Sequence, residues 1–121
     1  MEGEPTLLIV EDNPAVRNAV QAYMSRHGDW PTVLTAPDAG RALMLAAEHV
    51  PSAIVLDNRM PGGDGIDVLP ALRRTCPDAV IVVHTSDDSL AVREAAEECG
   101  ADAVVGKGRP LDELVAILHV T

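Results

Sequence analysis

The sequence predicts one α/β domain, a doubly wound parallel sheet of five strands with five helices on its two faces. Apolar runs of strand length recur five times, and a segment with helical periodicity follows each of them. Three of the runs are continuously apolar, as expected for strands that helices cover on both faces. The chain has 121 residues, of which 47% are hydrophobic, so it can bury a substantial core. We find no internal repeat and no linker, and we expect residues 1–121 to form a single domain.

The first strand and the first helix are predicted from residues 6–28. Residues 6–10 form the first apolar run. Asn13 is a typical helix N-cap, Pro14 is tolerated in a first turn, and Gly28 offers a left-handed end to the helix. Between these points, apolar side chains recur with the spacing of one helical stripe: Val16, Ala19, Val20, Tyr23 and Met24.

The remaining elements alternate in the same way. The second run, residues 32–35, is the weakest, and Pro31 at its start is typical of an edge strand. The later strands are predicted at residues 53–56, 79–83 and 103–105. Proline and glycine mark the limits of the later helices, which end before Pro51, before Pro77 and at Gly100, and the fifth helix is predicted to begin at Pro110.

Composition narrows the function classes. The formal net charge is -10, so the segment would repel phosphates, and we expect it not to bind nucleic acid or an anionic membrane by itself. No run approaches the roughly 20 apolar residues that span a bilayer, and no membrane association is expected. Cys76 and Cys99 lack metal-site spacing, which favours two reduced thiols in the cytoplasm.

Four charged residues follow directly after predicted strands. Glu11 and Asp12 follow the first strand, Asp57 the third, and Lys107 the fifth. Because the carboxyl ends of parallel strands lie at one edge of a sheet, these groups can meet there. Lys107 is also the only lysine among nine cationic residues, which indicates a site that needs a compact point charge rather than a planar guanidinium.

This set of residues suits phosphoryl transfer. Three neighbouring carboxylates repel one another, and Mg²⁺, which prefers oxygen ligands, would relieve that repulsion. A metal ion and an ammonium group stabilise the negative charge of a transferring phosphoryl group. Asp57 is the candidate nucleophile, forming an aspartyl-phosphate. Thr85, at the end of the fourth strand, is placed to hydrogen-bond a phosphoryl oxygen.

From residue 6 to about residue 118 the chain resembles bacterial response-regulator receiver domains. The resemblance implies that Glu11, Asp12 and Asp57 hold Mg²⁺, that Asp57 is also the phosphoacceptor, and that Thr85 and Lys107 contact the phosphoryl group. It also implies that the backbone carbonyl of Arg59 is a metal ligand, within the family's turn at residues 60–62. The implied fold is flavodoxin-like, with strand order 2-1-3-4-5. The implied partner is a sensor histidine kinase, and the implied output is an altered protein surface.

Two departures from the family pattern concern that output. The family often carries an aromatic residue three positions before the lysine, but Val104 stands there, which rules out an aromatic rotamer switch at this position. Gly108, a non-proline residue, follows Lys107, which resembles receivers of LuxR-type transcription factors. Two interpretations of the chain stay open, a complete stand-alone receiver and a fragment of a longer regulator of transcription whose output domain is absent, and we favour the fragment. The fourth helix often forms a dimer surface in the family, so a homodimer is a further expected partner.

Two alternatives remain open. A receiver-like module could signal by binding alone, without phosphorylation. An Mg²⁺-dependent phosphohydrolase of the haloacid-dehalogenase type also uses an aspartate nucleophile, but needs a second aspartate where this chain has Arg59. The expectation is therefore a signalling domain rather than an enzyme. His84 precedes Thr85, and strand alternation predicts that it points away from the site.

Overall fold

The computed structural model describes residues 4–60 and 63–118, and its elements alternate as predicted. The strands are β1 Thr6–Val10, β2 Thr32–Ala36, β3 Ala53–Asp57, β4 Val80–Thr85 and β5 Ala103–Gly106. The helices are α1 Pro14–His27, α2 Ala39–His49, α3 Gly65–Thr75, α4 Leu90–Glu98 and α5 Asp112–Ile117.

All five strands pair in parallel, in the order β2-β1-β3-β4-β5, so the predicted fold and strand order are confirmed. The order reverses between β1 and β3, which are neighbours, and this is where such sheets bind ligands. Val10 pairs with Leu56 in that ladder. Glu11 and Asp57 each follow one residue later, and therefore stand side by side at the carboxyl edge of the sheet.

The sheet separates two apolar cores. Leu7, Ile9 and Val55 face one side and pack with α1 and α5, and Leu8, Val10 and Leu56 face the other side, towards α2, α3 and α4. Side chains alternate along a strand, so Glu11 and Asp57, two residues beyond Ile9 and Val55, point to the α1 and α5 side.

The ends of the helices confirm part of the sequence analysis and correct part of it. Asn13 caps α1, because its side chain accepts hydrogen bonds from the N–H groups of Ala15 and Val16. The predicted left-handed end at Gly28 is wrong: Gly28 has φ -96°, and the positive φ, 56°, belongs to Asp29. The helix predicted from Pro110 begins as a turn and becomes regular α5 only at Asp112.

Three further predictions concern the turn after β3, the two cysteines and the absence of a membrane-spanning segment. Pro61 and Gly62 of the predicted turn lie outside the described residues. Cys76 is buried, Cys99 is half-buried, and both are free thiols. None of the helices in the described ranges is long and apolar enough to cross a membrane.

Candidate functional site

The three predicted acidic residues form one cluster at the β1–β3 edge. Glu11, Asp12 and Asp57 each offer a carboxylate oxygen, and these oxygens lie within 4.8 Å of one another. Glu11 and Asp57 are both only 3% exposed, while Asp12 is half-buried. An oxygen-only donor set of this kind fits a hard divalent cation.

Lys107 joins the cluster from the end of β5. Its Nζ lies 2.8 Å from Glu11 Oε1 and 3.1 Å from Asp57 Oδ1. Its backbone N–H donates to the carbonyl of Thr85, at 2.7 Å, which fixes the end of β5 against β4. Burial disfavours the ammonium, but the hydrogen bonds to Glu11 and Asp57 outweigh it and raise the pKa of Lys107. One ammonium against three carboxylates still leaves an excess of negative charge.

The loop after β1 is fixed by backbone contacts. The N–H of Glu11 donates to the carbonyl of Ala36 on β2, at 3.0 Å, and Glu11 Oε2 accepts from the N–H of Asn13, at 3.2 Å. Arg17 of α1 donates from Nη1 to the carbonyls of Glu11, at 2.9 Å, and Asp12, at 3.4 Å. Arg17 was not among the predicted site residues, because nothing in the sequence indicates where a long surface side chain folds back.

The segment after β3 holds Asp57 in place. The N–H of Arg59 donates to Asp57 Oδ1, at 3.2 Å. Asn58 accepts twice from the start of α3: its carbonyl from Gly65 N–H, at 2.7 Å, and its side-chain oxygen from Ile66 N–H, at 3.3 Å. Gly65 sits so close that a Cβ there would overlap the carbonyl oxygen of Asp57. The metal-ligand role of the Arg59 carbonyl stays a prediction.

Thr85 completes the predicted set at the end of β4. It is 1% exposed, and its hydroxyl oxygen accepts from the N–H of Asp87, at 3.0 Å. The hydroxyl hydrogen therefore remains available as a donor. The carbonyl of the same residue holds Lys107, so Thr85 links the β4 and β5 ends of the site.

The expected orientation of His84 is wrong. His84 pairs with Asp57 in the β3–β4 ladder, and paired residues of parallel strands share a face, so its side chain lies on the Asp57 side of the sheet. It is 3% exposed, and its Nε2 has no hydrogen-bond partner among the described residues. Burial, with the nearby charge of Lys107, lowers the pKa of His84 to about 4, so the imidazole is neutral. Its position follows from the register with Asp57, not from its sequence neighbour Thr85.

The acidic residues titrate differently. Burial raises the pKa of Asp57 to about 6, hydrogen bonding to Glu11 adds to the rise, and Lys107 opposes it. Burial also works against ionised Asp12, but hydrogen bonding with Asp57 and Glu11 outweighs that and lowers its pKa. Within the cluster, Asp57 therefore takes up a proton more readily than Asp12.

This difference predicts a pH-dependent stability in metal-free solution. The stabilising contribution of Asp57 is present below its unfolded pKa of 3.8 and is lost as pH rises through about 6. His84 acts in the opposite sense: its stabilising contribution is present above pH 6.5 and is lost as pH falls through about 4. The contributions of Asp57 and His84 oppose each other over nearly the same pH range. The unfolding free energy of the wild-type protein should therefore depend only weakly on pH there.

Asp57→Asn removes the titration of Asp57 and leaves that of His84. We expect the variant to have a higher unfolding free energy than wild type, by a difference that grows from pH 4 to pH 7 and reaches about 1–3 kcal/mol. Urea unfolding followed by the fluorescence of Trp30, the single tryptophan, measures this. A divalent cation that binds the folded wild-type cluster would raise the unfolding free energy of wild type and so reduce the advantage of Asp57→Asn. An advantage that does not change with pH would contradict the assignment.

Comparison with known proteins places the chain in a family. The model of the response regulator receiver domain matches residues 7–119. Response regulator MprA of Mycobacterium sp. (strain KMS) is 40% identical over 110 residues, which cover 91% of this chain and 47% of that relative. MprA of Mycobacterium avium (strain 104) is 39% identical over the same length. The chain thus spans about half the length of the curated relatives it matches.

Solved structures agree. A response regulator from Burkholderia pseudomallei with a phosphorylated aspartic acid, calcium ion and citrate gives a TM-score of 0.88 at 26% identity, over 97% of this chain and 68% of that chain. A LuxR-family response regulator from Aurantimonas sp. SI85-9A1 gives 0.85 at 31% identity, over 94% and 81%. The predicted likeness to LuxR-type receivers is therefore confirmed among structural neighbours. From its sequence and its fold together, the chain belongs to the response regulator receiver domains.

Proposed function

We propose that this receiver domain is a phosphoacceptor: Asp57 takes a phosphoryl group from a sensor histidine kinase in the cytoplasm, and the modified domain controls transcription through a further domain. The observation that supports this is the meeting of Asp57 with two other carboxylates and the only lysine at the point where strand order reverses. A buried carboxylate in such a cluster is costly to fold around, and functional sites concentrate such groups.

The reaction is a nucleophilic displacement at phosphorus. A carboxylate oxygen of Asp57 forms the new P–O bond as the P–N bond of phosphohistidine breaks and the imidazole leaves. The product is an acyl phosphate on Asp57. Asp57 must be ionised to attack, and its pKa of about 6 leaves it mostly ionised at neutral pH.

Lys107 and Thr85 are proposed to bind the transferred group. Lys107 Nζ already contacts Asp57 Oδ1, so its ammonium stands beside the acceptor, where it stabilises the charge of phosphoryl oxygens. The hydroxyl hydrogen of Thr85 supplies a neutral donor. Together they offset part of the negative charge of the phosphoryl group and orient it.

We infer that Mg²⁺ is the cation of the acidic cluster, held by Glu11, Asp12 and Asp57 with the carbonyl of Arg59. The bound ion supplies a compact positive charge that offsets both the carboxylates and the incoming phosphoryl group. The excess negative charge that Lys107 leaves supports a divalent ion. The Burkholderia pseudomallei response regulator carries calcium together with its phosphorylated aspartic acid, which supports a divalent cation of the same class.

The two alternatives are less well supported. A phosphohydrolase of the type considered above needs an acid or base two residues after the nucleophile, and the guanidinium of Arg59 has no acceptor atom and does not deprotonate. A module that only binds would have no need for a buried cluster of carboxylates joined to a lysine.

Metal removal tests the proposal. With acetyl phosphate and Mg²⁺, the intact mass should rise by one phosphoryl group, and excess EDTA should prevent the gain. Asp12→Asn should raise the Mg²⁺ concentration needed by roughly tenfold or more, since it removes one ligand. Efficient labelling in EDTA would contradict the metal's role, and no labelling in a time course short enough to catch a labile adduct would favour the binding-only alternative.

A further inference from the structure

A short side chain stands in β5 where many receivers carry an aromatic residue. Val104 is 8% exposed and belongs to the same apolar core as Ala96 of α4. Its backbone carbonyl is also held from α4: Arg93 Nη1 donates to it, at 3.1 Å. The connection between α4 and β5 therefore includes a guanidinium.

The same guanidinium also holds the loop between β4 and α4. Arg93 Nε donates to the carbonyl of Asp88, at 2.9 Å, and Nη2 lies 3.5 Å from Asp88 Oδ2. One side chain thus ties this loop to β5 through three contacts. We call Arg93, Asp88 and the Val104 carbonyl the Arg93 clamp.

Gly106 leaves room for the clamp. A Cβ at Gly106 would lie 2.8 Å from Asp88 Oδ2 and 3.3 Å from its Cγ. The carboxylate of Asp88 therefore rests against the bare backbone at the end of β5, beside Lys107. Both partners of the clamp thus meet β5, Arg93 at Val104 and Asp88 at Gly106.

The clamp is continuous with the reaction centre. The hydroxyl oxygen of Thr85 accepts from Asp87 N–H, and Asp87 Oδ1 accepts from Ser89 N–H, at 3.1 Å. Asp88 lies between Asp87 and Ser89, which these two hydrogen bonds hold. A change in the position of Thr85 would therefore move the backbone next to Asp88. The side chains of Arg93 and Asp88 are 43% and 50% exposed, so their pairing is weak enough to open.

We propose that the Arg93 clamp transmits the state of Asp57 to the α4–β5 surface, closed when Asp57 is unmodified and open when Thr85 turns to a phosphoryl group. This inference rests on the proposed function. It gives the chain a link between the reaction centre and its surface that needs no aromatic side chain at position 104. The two states differ in the hydrogen bonds of the loop and of β5, which hydrogen exchange reports.

Hydrogen–deuterium exchange of the whole chain tests the clamp. Arg93→Met keeps the aliphatic stem and removes the donors, and Arg74→Met, at an exposed arginine of α3, is the matched control. Each protein is measured with and without acetyl phosphate and Mg²⁺, and intact mass gives the labelled fraction of the same samples.

In the unlabelled state, Arg93→Met should speed exchange at residues 86–90 and 103–106 roughly fivefold, the factor that loss of one or two hydrogen bonds gives. Phosphorylation should speed amide exchange at the same residues in wild type and in Arg74→Met. In Arg93→Met, phosphorylation should change the exchange rate little further. Labelling itself should be retained in all three proteins.

Two results would overturn the proposal. If unphosphorylated Arg93→Met exchanged its amides at the wild-type rate, no clamp would hold the loop. If phosphorylation changed the exchange rates of Arg93→Met as much as those of wild type, the state of Asp57 would reach the α4–β5 surface by another route. If intact mass showed that wild type took up no phosphoryl group, the proposed function would fail, and the transmitting role of the clamp would fail with it. The exchange rates of unphosphorylated wild type and Arg93→Met would still decide whether the clamp exists.

Discussion

Asp57→Asn is expected to abolish labelling by acetyl phosphate, with a loss of at least about 100-fold in rate. The amide has nearly the shape of the carboxylate, but its oxygen is a poor nucleophile, so the chemistry is lost while the site keeps its form. Intact mass spectrometry over a time course measures the rate. Asp78→Asn is the matched control, because Asp78 is an exposed aspartate just before β4, at the opposite edge of the sheet.

The fold of the variant must be checked alongside its labelling. Circular dichroism and urea unfolding should show Asp57→Asn at least as stable as wild type at neutral pH, since it removes a buried carboxylate. Asp12 is a neighbouring carboxylate, and a slow residual labelling there would be consistent with the account. Labelling of Asp57→Asn at the wild-type rate would refute the assignment of the acceptor.

Gly65→Ala is expected to destabilise the domain by roughly 2–4 kcal/mol. A Cβ at this position would overlap the backbone carbonyl oxygen of Asp57 and crowd the Cα of Asn58, which lies 3.1 Å away. Backbone cannot swing aside as a flexible side chain does, so α3 or the end of β3 must shift. Because the shift falls on Asp57 itself, the labelling rate should also drop.

Gly40→Ala provides the comparison for that substitution. Gly40 lies in α2 and is exposed, and the nearest atom to an added Cβ is Asp38 Oδ1, at 3.6 Å. Alanine should be neutral or stabilising there, by up to about 1 kcal/mol, because it favours the helix. Urea unfolding gives both values. A Gly65→Ala protein within about 0.5 kcal/mol of wild type would show that the contact relaxes at little cost.

The sheet and the proximity of the site residues can both be predicted from the sequence for one physical reason. Buried parallel strands appear as continuous apolar runs, and their carboxyl ends share one edge. The positions of Glu11, Asp57 and Lys107 follow from that geometry alone, and the structure joins them within hydrogen-bonding distance.

Local details depend on packing and could not be predicted in this way. Gly28 is required by space and not by a left-handed turn, because a Cβ there would lie 2.7 Å from both the Met24 carbonyl oxygen and the Trp30 ring. Arg17 and Arg93 bind backbone carbonyls through long side chains, whose direction is set by tertiary contacts. The face of His84 depends on its register with β3, which no local pattern reveals.

The most direct test of the central claim locates the phosphoryl group itself. Borohydride reduces an acyl phosphate to an alcohol and so converts a phosphorylated aspartate into homoserine, whereas free carboxylates do not react. Trypsin cleavage after Arg41 and Arg59 releases a peptide, residues 42–59, in which Asp57 is the only aspartate. After labelling with acetyl phosphate and Mg²⁺, tandem mass spectrometry should find homoserine at position 57, and none when Mg²⁺ is withheld. Homoserine at another position, with unchanged Asp57 in a fully labelled sample, would contradict the account.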